Sequence, residues 1–195
     1  MRLSPLLCFM ACAGGFLASP HAANARIERQ HGAHVHGVTT ITIAQDGQQL
    51  SVGMEMPGVN VVGYEHPPHS AGEQAKLDAA IEVLREPGQW FVPNAEALCR
   101  VSSVEVHPNG FGDDSAPSGA APKANAAAAH EHADVDVAYQ YACSAPLNLR
   151  SIDLRLIERF PGTHEVRVDI VSAGGQAQEV LSTPHAEITF SPNSP

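Results

Sequence analysis

The residues best suited to chemistry in this chain are its histidines, 11 in all, and they are unevenly placed. His31, His34 and His36 fall within H-G-A-H-V-H-G, and His130 and His132 flank Glu131 in H-E-H. Neutral imidazole is a nitrogen donor for borderline transition metals, zinc and copper first among them. Zinc takes about four ligands in a tetrahedron, drawn from imidazole, thiolate and carboxylate. Side chains alternate along extended backbone, so His34 and His36 share a side and can converge on one ion. Glu65 and His66, in G-Y-E-H, add a carboxylate and an imidazole. Adjacent residues rarely point at the same ion. The bland alternative there is a turn in which Glu65 accepts backbone amides and His66 packs on Pro67. For the two clusters the bland alternative is a set of polar chain ends that hold nothing. His69, His107, His164 and His185 have no strong local partner. Met54 and Met56 offer thioethers to Cu(I), but same-face strand methionines more often fill a core.

A catalytic metal would need an open coordination position and a nearby general base, such as Glu65 or Glu131. The chain has no H-E-x-x-H and no G-x-S-x-G segment, the signatures of zinc peptidases and serine hydrolases. Binding is therefore expected rather than catalysis. The rival readings are a zinc-dependent hydrolase and an interaction module that uses no metal.

The elements that must position these groups are legible from periodicity. Residues 33–46 read as a strand, with Thr39, Ile41 and Ile43 on one face. Asp46-Gly47 signals a hairpin turn. The return strand, 49–56, carries Leu50, Val52, Met54 and Met56 on one face, and Pro57-Gly58 ends it. Ser70 is a helix N-cap and Glu73 completes a capping box. The spacing predicts a helix from Ala71 to Arg85 or Glu86 that buries Leu77, Ala80, Ile81 and Leu84, stopped by Pro87-Gly88. A strand from Leu98 to His107 changes parity near Ser102-Ser103, the mark of a bulge. Residues 108–129, dominated by Ala, Pro and Ser, read as a flexible linker. Beyond it, Val135, Val137, Tyr139, Tyr141 and Cys143 alternate without a break. Residues 147–160 are ambiguous between strand and helix. Val166, Val168 and Ile170 mark a further strand, a glycine turn follows, and 186–190 a last one.

Each half opens with a histidine pair at i, i+2 leading into an alternating strand, which suggests neighbouring strands. The expected fold is α+β: an antiparallel or mixed sheet with a packed helix, in two similar halves, 26–107 and 130–195, that share one core.

Residues 1–25 read as a secretion signal: Arg2, an apolar stretch to Ala18, and Ala23-Asn24-Ala25 as the cleavage site. The apolar run is short for a membrane span, so a protein exported to the periplasm and without stable membrane insertion is expected. The formal charge is −10, and losing Arg2 makes it one unit more negative. Such a surface repels nucleic acid and attracts cations. Cys99 and Cys143 would be the only cysteines after cleavage. In an oxidising compartment an isolated pair forms a disulfide; the alternative is two buried thiols, and no CxxC spacing favours a zinc-thiolate site.

Taken in order, H-G-A-H-V-H-G, M-P-G-V-N-V-V-G-Y-E-H, A-L-C, H-E-H-A, Y-x-Y-x-C and R-F-P-G resemble a family of bacterial periplasmic proteins linked to zinc-regulated, ABC-type zinc uptake. The resemblance runs from about Gln30 to Phe190. It implies zinc binding, a non-enzymatic accessory role in zinc acquisition, and components of an ABC-type importer as partners. The matching positions are His31, His34, His36, Gly63, Tyr64, Glu65, His66, Cys99, Cys143, His130 and His132. Relatives often carry Phe where this chain has Tyr64. They also tend to have a histidine- or acid-rich linker where this one has Ala, Pro and Ser, which argues against capacity for many ions but leaves one structured site. The expected ligands are thus His31, His34, His36, Glu65, His66, His130 and His132, with Zn2+ as the ion and Cu2+ as the competitor.

Overall fold

The computed structural model describes residues 34–112 and 132–190, which lie within one compact unit. His31, His130, Glu131, the expected signal segment and most of the expected linker, 113–129, lie outside the described residues.

The first hairpin forms as its alternation dictates. β1 (Val38–Asp46) and β2 (Gln49–Pro57) pair antiparallel, with Ile41 opposite Met54 and Ile43 opposite Val52. Ile41, Ile43, Leu50, Met54 and Met56 are completely buried, so the methionines are core. β1 starts at Val38 rather than at residue 33. Gly37, at φ +82°, turns the chain just before it, a conformation open to glycine at little cost.

After β2 come a single helical turn, α1 (Gly58–Val61), and the helix α2 (Ala71–Arg85). The Ser70 side chain accepts from the Glu73 N–H, while the Glu73 carboxylate accepts from the His69 N–H rather than that of Ser70. The capping box is therefore shifted outward by one residue, and two of the donors at the helix start are still satisfied. α2 buries Leu77, Ala80 and Leu84. The Trp90 indole N–H donates to the Val83 carbonyl and the Tyr139 hydroxyl to that of Leu84, which pins the end of α2 against the sheet.

β3 (Phe91–Pro93), β4 (Cys99–Asn109), β5 (Asp134–Cys143), β6 (Ser151–Leu154), α3 (Leu156–Arg159), β7 (Glu165–Ser172), β8 (Gly175–Leu181) and β9 (Ala186–Thr189) complete the chain. The larger sheet has the order β4-β5-β2-β1-β7-β8 and the smaller one β3-β6-β9. All larger-sheet pairs are antiparallel except β1 with β7, which are parallel. The fold is therefore α+β, with one mixed sheet and one antiparallel sheet. Register slips between Val101 and Ser103, where the change of parity falls. β4 runs on to Asn109 and Phe111 is buried, so ordered packing continues past residue 107. Residues 147–160 resolve into both alternatives in turn, the strand β6 and the helical turn α3.

Strands from before and after the expected linker are interleaved in the larger sheet, with β5 inserted between β4 and β2, and share one buried cluster. The Cys99–Cys143 disulfide joins directly paired positions of β4 and β5 across 44 residues of sequence. Because β1 and β5 both run antiparallel to β2, which lies between them, their first residues emerge at the end of the sheet where β2 finishes. β4 ends and β7 begins there too: Asn109 and Pro57 flank Asp134, and Glu165 lies beside Val38.

Candidate metal centre

At that end of the sheet Glu65 is surrounded by imidazoles. His36 Nε2 lies 3.1 Å and His132 Nδ1 3.2 Å from Glu65 Oε2, while His34 Nε2 lies 3.4 Å from Oε1. The four ligand atoms of His34, His36, Glu65 and His132 lie within 4.8 Å of one another. The His34 ring stacks on His36 at 5.9 Å and meets His132 edge-on at 4.9 Å.

Local sequence explains why these groups meet. Leaving β2, the chain passes through Gly58, whose N–H donates to the Ala133 carbonyl at 2.7 Å. A Cβ on Gly58 would fall 2.7 Å from that oxygen and from the Phe111 ring, so only glycine allows this approach. Asn60 is 2 % exposed and clamps the histidine turn. Its Oδ1 accepts from Gly37 N at 2.7 Å and its Nδ2 donates to Val38 O at 3.0 Å. The Gly37 carbonyl in turn accepts from the amides of His164 and Glu165. His34 and His36 are thus held by a turn fixed to α1 and to the start of β7, not by a regular strand. Gly63, at φ +84°, then reverses the chain so that Glu65 faces back toward them.

His34 Nδ1 lies 2.7 Å from Asp134 Oδ1, at the first residue of β5. When the ring is neutral, a proton on Nδ1 would face that carboxylate and leave the Nε2 lone pair toward Glu65, the arrangement in which an outer carboxylate orients a metal-bound histidine. Nε2 is shielded from water and makes no hydrogen bond among the described residues, although it faces Glu65. A shielded ring nitrogen with no hydrogen bond is costly unless a partner is supplied. Three imidazoles and one carboxylate form a set of the kind zinc accepts. With Asp134 behind them, the two carboxylates balance the charge of a dication.

The electrostatics agree. Burial works to raise the Glu65 carboxyl, but hydrogen bonds from His36 and His132, the charge of His34 and the Val59 N–H outweigh it and hold Glu65 below the ordinary carboxylate range. Asp134 goes the other way. Burial raises it against the charge and hydrogen bond of His34, and the negative charges of Asp136 and Glu65 add to the rise. His36 and His132 are 62 % and 59 % exposed, against 17 % for His34, so half of the ligand set faces water.

The profile of a family described as ZrgA family zinc uptake proteins matches residues 33–190, which span this cluster, both sheets and the disulfide. The chain belongs to the ZrgA family. No curated protein matches it. Membership and the cluster together make this ZrgA-family chain a periplasmic zinc-handling protein, accessory to uptake and not catalytic. No helix among the described residues is long and apolar enough to cross a membrane.

Of the residues expected from the ZrgA-family sequence, the structure brings together His34, His36, Glu65 and His132. It sets His66 apart from Glu65, next to His69 and Glu73. His107 and His185 pair with Glu105 and Asp153. The sequence alone does not single out Asp134, because nothing local marks it as the partner of a histidine 100 positions earlier.

Proposed function

We propose that His34, His36, Glu65 and His132 bind one Zn2+ as exchangeable cargo, which the protein buffers and passes to an ABC-type zinc importer. The observation that supports this best is the shielded Nε2 of His34, with Asp134 2.7 Å from the opposite ring nitrogen, facing a carboxylate that two further imidazoles already contact. The reading treats the histidine pairs before β1 and β5 as equivalent, entering on either side of β2. His31 and His130 are then additional donors for the same ion, and the leader is removed near Ala25.

Two exposed ligands suit release as well as capture. A structural zinc would instead be closed, and its loss would unfold the chain. Here none of the four ligands belongs to the buried apolar cluster. Titration calorimetry at pH 7.5 on tag-free, leader-free protein tests the site. Binding no tighter than about 100 μM, roughly −5.5 kcal/mol, and unchanged by His34→Ala with His36→Ala, would refute it. A parallel titration with Cu2+ ranks the ions, since copper generally outcompetes zinc at nitrogen ligands. Circular dichroism after chelation separates cargo from structural metal: the sheet signal is expected to persist, and its collapse would overturn the exchangeable reading.

A further inference from the structure

The second cluster, on the far side of the Glu65–His66 peptide bond, is not part of this site. His66, His69 and Glu73 each offer one ligand atom, all within 4.8 Å of one another. His66 Nδ1 lies 2.9 Å from the Pro67 carbonyl. A carbonyl only accepts, so the proton sits on Nδ1 and Nε2 keeps its lone pair. The same backbone-oriented tautomer is what metal-binding histidines use. Tyr64 stacks on one face of His66, with centroids 4.9 Å apart, and its hydroxyl donates to the Glu73 carbonyl at 2.7 Å. That tie fixes His66 against the first turn of α2. On the other side His69 lies nearly parallel to His66, with centroids 4.3 Å apart and 10° between planes. The Glu73 carboxylate uses Oε2 to accept from the His69 N–H at 2.6 Å, which leaves Oε1 for a cation. Pro67 and Pro68 restrict the backbone between the two histidines.

From this geometry we infer that His66, His69 and Glu73 form a second, weaker zinc site, with water completing the tetrahedron. Three protein ligands and an open position give faster exchange than the four-ligand set at Glu65. His69 is exposed, and binding would require its ring to rotate out of the parallel stack so that both lone pairs reach one ion. Glu65 and His66 are neighbours in sequence but serve different ions, so the two sites share one short stretch of backbone. The inference stands independently of the main-site reading.

Zinc titrations compare leader-free wild type with two double variants. In His66→Ala/His69→Ala the protein is expected to lose one equivalent of the weaker phase and keep the tight phase within about twofold. In His34→Ala/His132→Ala the weak phase is expected to remain, at least tenfold weaker than the tight phase of wild type. Glu73→Gln, which retains a side-chain acceptor for the His69 N–H, is expected to weaken that phase about tenfold further. Long-range 1H–15N spectra of the His34→Ala/His132→Ala protein then show whether the ring nitrogens of His66 and His69 shift on adding Zn2+, as expected. A wild-type isotherm in His66→Ala/His69→Ala, or unshifted ring nitrogens, overturns the second site and leaves the first untouched. Loss of the weak phase alone, with the tight phase absent from all proteins, supports the second site and refutes the first.

Discussion

Asn60 carries the most direct test of how the fold positions its ligands. It is 2 % exposed, and its two short hydrogen bonds hold Gly37 N and Val38 O, the backbone that carries His34 and His36 into place. Asn60→Ala removes both bonds and leaves a donor and an acceptor with lost partners. A buried polar group left unpaired costs about 1–3 kcal/mol. Gly37 and Val38 are only partly buried, so water recovers part of that loss, and about 2–4 kcal/mol in total is expected. That is a large share of the roughly 5–15 kcal/mol of a typical domain. A second effect falls on the site, because freeing the turn makes zinc binding order it again. At about 1 kcal/mol or more per re-ordered residue, zinc affinity is expected to fall at least about tenfold. Urea unfolding followed by circular dichroism in chelator measures the first effect, and calorimetry in moderate buffer the second. Asn109→Ala serves as control: this exposed asparagine bonds Asp136 at the surface, and a change within about 0.5 kcal/mol is expected. An Asn60→Ala protein as stable as wild type would refute the accounting. One that is destabilised but binds zinc normally would refute the positioning role.

Three further outcomes follow from the same structure. Asp134→Asn should weaken zinc binding about 10–100-fold, because the carboxylate behind His34 fixes its tautomer and strengthens it as a ligand; unchanged affinity would show that the 2.7 Å contact plays no part. Reducing Cys99–Cys143 should lower stability by up to about 4 kcal/mol for a closed loop of this length, yet leave zinc affinity unchanged, since the bond lies at the opposite end of β5 from His132; a matching loss of affinity would refute that separation. Burial pushes the Tyr139 phenol up, with the Tyr141 charge adding to it, and burial alone raises Tyr141. A group whose folded pKa is raised contributes stability that is fully present below its unfolded pKa, about 10 for tyrosine, and is lost as pH rises beyond it. Urea midpoints should therefore fall between about pH 10 and 12, and less steeply in Tyr141→Phe; a flat profile in both proteins would contradict the burial.

Much of the fold was legible because its signals are local. Alternation at Leu50, Val52, Met54 and Met56, and again from Val135 to Cys143, comes from burying one face of a pleated strand, and those residues are buried. Ser70, Pro87 and Gly88 bound α2 through hydrogen bonds and backbone angles available within a few residues. β8 gave no such signal: Gly175–Leu181 is an edge strand with mostly exposed side chains, so it has no apolar face to repeat. The parallel pairing of β1 with β7 was equally silent, since nothing local records a partner more than 100 residues away.

By itself the sequence determined the chemistry on offer: imidazole and carboxylate in short clusters, a cysteine pair, an acidic surface, and strands and a helix with definite faces. Only the tertiary structure decided which of those groups meet. Whether Glu65 joined His66, its neighbour, or His34, His36 and His132, 29 to 67 positions distant, depended on sheet order. Placing β2 between β1 and β5 brings two strand starts and one strand end to the same edge. Asn60 and Gly58 then let the backbone close up there. A turn near Gly63 sends Glu65 to one side, while the Pro67 carbonyl and the first turn of α2 hold His66 on the other. A metal site needs donors within a few ångströms of one point, and distance in space is set by packing across the whole chain rather than by spacing along it.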